Sequence, residues 1–251
     1  MGSLAWPGHG LILITRKTCL DICNININIK IFKVIYASSF NKQIRTFGWS
    51  LSGGMDMDNN NYPDLLVGAY ESGHAVHMRA APVAHMTASV SFDVVSKQID
   101  LENLQCTLRD RTRVPCVQVS VALQYTGVGV PDRMEFTLEY NLDSKKENQK
   151  RMFLHQQEGQ TAMSRTIQMS KDREFKDRFK VYLLGSKIYD KLTSLDIQMK
   201  YSLAESRGRV AGGLNPVLAH GDHMVSDSLN IQKECGADNL CIPNLSVKTQ
   251  K

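Results

Sequence analysis

The sequence contains no run approaching the roughly 18 to 20 uninterrupted apolar residues that a membrane-spanning helix needs. None of its 251 residues is therefore expected to cross a bilayer in helical form. It also lacks a strong charge of one sign. The formal net charge is +5; residues 1–40 hold four bases (Arg16, Lys17, Lys30, Lys33) against one acid (Asp21), leaving 26 bases against 24 acids in the remainder. Such a balance gives no basic footprint for nucleic acid. A Gly-x-Ser-x-Gly elbow, a Walker loop and a dinucleotide fingerprint are all missing, and no enzymatic activity is expected. No secretory signal is recognisable: the apolar run Leu11–Ile14 is four residues long, and Arg16 and Lys17 come after it where a signal would have them precede. Hydrophobic residues at 42% and charged residues at 22% exclude wholesale disorder and a collagen-like chain. The length is enough for one or two domains with a buried core.

What is present, from Lys33 onward, is a series of short alternating runs separated by turn residues, the signature of an all-β protein. The clearest are Val117, Val119, Val121, Leu123 and Tyr125; Met134, Phe136, Leu138 and Tyr140; and Ile197, Met199, Tyr201 and Leu203. Each repeats every second residue and is expected to bury one face. Turn signals at 127–132, 141–148 and 206–215 favour the hairpins of a sandwich over the crossovers of a parallel sheet. One helix is predicted, over 171–184, where Phe175, Phe179 and Tyr182 alternate with the i,i+4 pairs Asp172/Lys176 and Glu174/Arg178. The basic run Lys145–Arg151 reads as a solvated hairpin tip. Residues 24–31, Asn-Ile-Asn-Ile-Asn-Ile-Lys-Ile, alternate strictly but are of low complexity and read as unrelated to the rest of the chain.

The chemistry concentrates in Met55-Asp56-Met57-Asp58-Asn59-Asn60-Asn61-Tyr62-Pro63-Asp64. Counting Asp56 as position 1 of a loop, Asp58 and Asn60 stand at 3 and 5, the Tyr62 carbonyl at 7 and Asp64 at 9. An all-oxygen set of this kind suits calcium, which takes six to eight oxygens in loose geometry. An EF-hand would place a Glu at position 12, but Val67 stands there and an apolar strand comes next, so a calcium hairpin between strands is expected. The alternative is an Asn/Asp-rich turn without a metal, in which three carboxylates would repel one another. Asn61 occupies a position where such loops often carry Gly, and Asn tolerates positive φ well. His220-Gly221-Asp222-His223 reads as an exposed turn, and His74 and His77, three apart on a strand, point to opposite faces and cannot simply share a metal.

Phe47-Gly48 and Gly68-Ala69 framing this hairpin resemble the FG-GAP repeat of integrin alpha-subunit propellers, and residues 62–70 look like its last blade. His74–Val83 resembles the strand that leaves the propeller. Cys235-Gly236-Ala237-Asp238-Asn239-Leu240-Cys241-Ile242-Pro243-Asn244-Leu245 resembles the cysteine loop at the integrin knee. The resemblance implies a propeller-blade remnant followed by an immunoglobulin-like β-sandwich, the thigh. The implied organisation is an unassigned segment 1–32, a last FG-GAP blade over 33–83, a thigh sandwich over 84–234, and the knee loop with the start of a first calf domain over 235–251.

Six cysteines allow 15 pairings. Cys106 and Cys116 enclose nine residues and Cys235 and Cys241 enclose five, and proximity together with the family pattern favours these two disulfides. Neither spacing suits zinc, and Cys19 and Cys23 are left without an assigned pairing. The second internal bridge of many thigh domains would correspond to Ala122 and a residue near Lys176, so it is expected to have been lost whole. The resemblance also implies a second, incomplete calcium site at the knee, from the Asp238 carboxylate and the carbonyls of Cys235 and Leu240. Asn244-Leu245-Ser246 is a glycosylation sequon for a secreted chain.

In that family the alpha subunit pairs with a beta subunit at the cell membrane to bind extracellular matrix or cell-surface ligands and to signal across the membrane. Its calcium hairpins stiffen the propeller base and do not hold ligand. The chain is expected to be an extracellular piece of such a receptor, as a truncated isoform or an incomplete gene model, without ligand face or membrane span. A lone blade should expose unpaired strand margins and leave Leu65–Ala69 uncovered, aggregating or docking on the thigh. The alternatives are a secreted stand-alone calcium-binding module, a truncated isoform without function, and an enzyme carrying an FG-GAP repeat, for which no catalytic constellation is found.

Overall fold

The computed structural model describes residues 3–6, 9–14, 31–185, 188–204 and 214–233. All regular structure of any length is strand: β1 (Ser3–Trp6), β2 (His9–Ile14), β3 (Ile31–Ile35), β4 (Phe47–Gly53), β5 (Leu65–Ala69), β6 (His74–Met78), β7 (Val83–Phe92), β8 (Gln98–Ile99), β9 (Cys106–Thr107), β10 (Arg113–Val114), β11 (Cys116–Thr126), β12 (Arg133–Leu142), β13 (Met152–Leu154), β14 (Ala162–Ser170), β15 (Phe175–Leu183), β16 (Leu195–Leu203), β17 (Val217–Leu218) and β18 (Met224–Ile231). Two single 3-10 turns, 37–39 and 70–72, are the helical structure among the described residues. None of the described helices is long and apolar enough to cross a membrane. The chain is all-β, and it divides into two compact units: residues 1–85, 126–131 and 206–221 form one, and 86–125, 132–205 and 222–251 the other.

The first unit contains the antiparallel meander β4-β5-β6 and a separate three-stranded sheet, β1-β2-β3. Alternate residues of β5, Leu65, Val67 and Ala69, are buried with Phe47, and Ile35, Ala37, Ile44, Leu51, Val76 and Met78 pack against them. Within the first unit, Leu65, Val67 and Ala69 are thus covered by Ile35, Ala37 and Ile44 from the segment before β4 together with Leu51, Val76 and Met78. The FG and GA dipeptides have separate physical reasons. Phe47 opposes Ala69 and Ser50 opposes Gly68, so Gly48 and Trp49 bulge out of the ladder, with Gly48 at φ 87°, a conformation most side chains resist. A Cβ on Gly68 would come within 2.1 Å of the Ser50 hydroxyl oxygen.

The second unit is built from two sheets, β13-β15-β11-β7 and β14-β12-β16-β18-β8, and the two-residue β17 pairs with the start of β7, within the first unit. The predicted alternation sets their inner faces: Val117, Val119, Val121, Leu123 and Tyr125 are buried along β11, and Met134, Phe136, Leu138, Tyr140 and Leu142 along β12. Aromatic rings join the layers, Tyr125 to Phe136 at 5.3 Å between centroids and Tyr140 to Phe179 edge-on at 5.2 Å. In the β11–β15 register Ala122 lies directly opposite Lys176. Cys106 and Cys116 form a disulfide with Cα atoms 5.9 Å apart, closing the β9–β10 hairpin.

The helix predicted over 171–184 is instead a turn followed by β15. Phe175, Asp177, Phe179, Val181 and Leu183 all face inward, and the acid among them hides the period of two. Asp177 is accommodated because Arg165 pairs with it and also donates to the Tyr140 hydroxyl at 3.1 Å. The basic run 145–151 is a solvated tip only in part: Lys145, Glu147, Asn148 and Gln149 are exposed, whereas the last residue turns inward. Arg151 is buried and makes a two-pronged ion pair with buried Asp143, Nε to Oδ2 at 2.9 Å and Nη2 to Oδ1 at 2.6 Å. Its remaining N–H groups donate to the carbonyls of Asp190, Thr193 and Ser194, and Lys146 pairs with Asp190 at 2.6 Å.

Candidate metal centre

The loop joining β4 to β5 carries the predicted ligand residues, and its fold results from short polar side chains bonding their own backbone. Asp56 accepts the N–H groups of Asn60 (3.1 Å) and Asn61 (2.7 Å). Asn60 Oδ1 accepts the Tyr62 N–H at 2.8 Å, and its amide donates to the Ala80 carbonyl at 2.6 Å. Asn59 and Asn61 sit at φ 58° and 70°, the left-handed conformation Asn adopts more readily than most residues. The Asp64 N–H donates to the Met55 carbonyl at 2.8 Å, closing the base of the loop.

This winding brings Asp56, Asp58 and Asp64 together, with one carboxylate oxygen from each lying within 4.8 Å of the others. The three are differently held. Asp64 is buried; its Oδ1 accepts the Ala80 N–H at 2.9 Å, and its Oδ2 accepts the Met57 N–H at 3.1 Å and lies 2.9 Å from His77 Nε2. Burial alone would push its pKa up, but the Ala80 N–H, the His77 ring and the Met57 N–H outweigh it and hold the carboxyl below its ordinary value. Asp58 pairs through Oδ2 with Arg79, while its Oδ1 is buried and has no hydrogen-bond partner among the described residues. A buried carboxylate oxygen without a donor is costly, and a hard cation would satisfy it. The donor set is all oxygen, as calcium requires, so these residues fit a calcium ion. Tyr62 is also fixed by its hydroxyl, which donates to the Val128 carbonyl at 2.9 Å.

Three contributors to the site are not apparent from the loop's own sequence: His77, Arg79 and the Ala80 N–H. The signal for two of them is the strand period, since His77 and Arg79 are two apart and share a face, whereas His74 and His77 do not. Of the histidine turn, His223 lies against the Tyr201 ring, 5.5 Å between centroids. Asp238, Cys235 and Leu240 of the expected knee site, the Cys235/Cys241 pair, Asn244, Cys19 and Cys23 lie outside the described residues.

Comparison with known proteins places the chain in a family. Residues 80–234 match the family described as integrin alpha Ig-like domain 1, and residues 47–77 match the FG-GAP repeat. Integrin alpha-PS2 of Drosophila melanogaster is 40% identical over 212 residues, covering 81% of this chain and 15% of that protein. Integrin alpha-8 of Mus musculus is 32% identical over 210 residues (81% and 20%), and integrin alpha pat-2 of Caenorhabditis elegans 28% over 230 residues (81% and 18%). The chain thus spans a fifth or less of the length of these relatives. With one family matching more than half of its residues and relatives above 30% identity across four-fifths of it, the chain belongs to the integrin alpha-subunit family.

Proposed function

We propose that this chain is the calcium-binding blade and thigh region of an adhesion-receptor alpha subunit, which pairs with a beta subunit at the cell surface to engage matrix or cell-surface ligands. In this reading the side chains of Asp56, Asp58, Asn60 and Asp64 and the Tyr62 carbonyl hold one calcium ion. The observations that carry it are the convergence of the Asp56, Asp58 and Asp64 carboxylates and the buried Asp58 Oδ1, which has no hydrogen-bond partner among the described residues. Bound calcium supplies positive charge that offsets three mutually repelling carboxylates. Asp64 anchors the loop to β6 through His77 and Ala80, Asp56 and Asn60 shape its turn, and Arg79 partly neutralises Asp58. The role is structural: the loop ties β4 to β5 and is not an adhesion surface.

The test is calcium titration by calorimetry together with thermal melts in calcium and in chelator, for the unaltered chain and for Asp58→Asn, which keeps the loop's shape. Calcium at ten times its Kd should stabilise the first unit by about 1.4 kcal/mol, a shift of a few degrees, and Asp58→Asn should lose most of the binding heat. Asp64→Ala should abolish binding too, but it also removes the partner of three donors, so it is the less specific variant. A melt of the unaltered chain that calcium leaves unmoved, with no binding heat, refutes the reading.

A further inference from the structure

The outer face of the sheet β13-β15-β11-β7 carries an unabsorbed concentration of charge. Lys176, Arg178 and Lys180 alternate along β15 on the exposed side, opposite Ala122, Ser120 and Gln118 of β11. At a rise of about 3.3 Å per residue they form a row roughly 13 Å long. The next outward residue, Tyr182, is covered by the disulfide-closed β9–β10 hairpin, whose Cys106 and Val114 pack on it. That hairpin adds three exposed arginines, Arg109, Arg111 and Arg113, at the end of the row.

Several acids stand nearby. Glu174 pairs with Lys176 at 2.9 Å, and Glu158 lies 4.0 Å from Arg109 and accepts its backbone N–H. Asp93 accepts hydrogen bonds from Gln118 and Ser120, and Asp110 caps the hairpin turn through the Thr112 N–H. Arg178, Lys180 and Arg111 have no acidic partner among the described residues.

We propose that this face binds a sulfated polysaccharide, through Lys176, Arg178 and Lys180 continued by Arg111 and Arg113. An evenly spaced row of cations along one strand fits an extended polyanion. The neighbours on β11, Gln118, Ser120, Ala122 and Gln124, include no aromatic ring on which a nucleic-acid base could stack and no apolar anchor of the kind a membrane surface or a protein hot spot needs. The disulfide places the domain in an oxidising compartment, whereas anionic lipid is concentrated on the cytoplasmic leaflet.

The test is retention of the full chain on immobilised heparin against a salt gradient. The triple variant K176Q/R178Q/K180Q is compared with K42Q/K145Q/K191Q, which removes the same net charge at exposed positions elsewhere; circular dichroism verifies that both fold. The unaltered chain should be held at about 0.15 M salt, the physiological ionic strength. The row variant should elute early, with the dependence of log affinity on log salt falling by about one unit per cation removed, while the control variant elutes with the unaltered chain. Desulfated heparin should retain none of them. The proposal is overturned if both triples shift equally, if the unaltered chain is not retained, if desulfation makes no difference, or if phosphatidylserine vesicles bind the chain through the same three residues as tightly as heparin does.

Discussion

Replacing Arg151 with Met tests whether the Asp143–Arg151 pair organises the second unit. The Arg151 side chain is 4% exposed and that of Asp143 fully buried, and hydrogen bonding to Asp143 is the leading cause that holds the guanidinium pKa above its ordinary value. Methionine keeps the methylene volume but leaves the Asp143 carboxylate with the Arg151 backbone N–H in place of three donors. It also strips a donor from each of three carbonyls, those of Asp190, Thr193 and Ser194. Breaking a buried pair in this way costs about 3–5 kcal/mol. With a urea m-value near 2 kcal/mol/M, the midpoint should fall by roughly 1.5–2.5 M. Adding Asp143→Asn removes the stranded charge while preserving a residue that accepts φ 49°, so the double variant should recover about 1–2 kcal/mol. Both tryptophans, Trp6 and Trp49, lie in the first unit, so the transition should be monitored by the near-ultraviolet dichroism of buried tyrosines such as Tyr125 and Tyr140. A midpoint shift below about 0.3 M, or a double variant no better than Arg151→Met alone, refutes the reasoning.

Other contacts give further expected outcomes. Replacing Cys106 and Cys116 together by Ser should cost roughly 2–3 kcal/mol, since the closed loop is short, and a urea midpoint unchanged by the replacement would contradict this. Asp227 is desolvated, yet it accepts the Phe92 N–H at 2.8 Å and pairs with Lys97, which hold its pKa below the ordinary value. A carboxyl depressed in the folded state contributes stability above its unfolded pKa near 3.9 and loses it as pH falls through the folded value. The second unit should therefore weaken below about pH 4, and Asp227→Asn should weaken it at neutral pH while flattening that acid dependence. An Asp227→Asn midpoint that keeps the full acid decline would show that other carboxylates carry it.

Strands whose inward positions are uniformly apolar are legible from sequence. Along β11 and β12 the residue type alone separates the two faces, and burial tracks it position by position. Legibility fails where an inward position is charged. Asp177 breaks the period of β15, and its accommodation depends on Arg165 in the other sheet, which no local pattern encodes. Arg151 fails for the same reason: a run of bases resembles a solvated face unless Asp143, 8 residues earlier, is known to be buried beneath it. The metal loop is legible because its side chains lie within nine consecutive residues, whereas His77, Arg79 and Ala80 reach it only through the pairing of β5 with β6.

The sheet orders carry one more consequence. Three of the four outermost strands are very short: β8 and β17 have two residues each and β13 three. The fourth, β14, runs nine residues from Ala162 to Ser170 and is hydrogen-bonded along one side, to β12. Among the described residues its other side is unpaired, a row of amide and carbonyl groups open to an approaching extended segment. Its polar stretch Ser164-Arg165-Thr166, with Gln168 beyond, is what discourages a second copy from adding there. Self-association in this family member should accordingly begin at β14, and a change that removes Arg165 would loosen Asp177 within the core and at the same time strip that strand of its protecting charge.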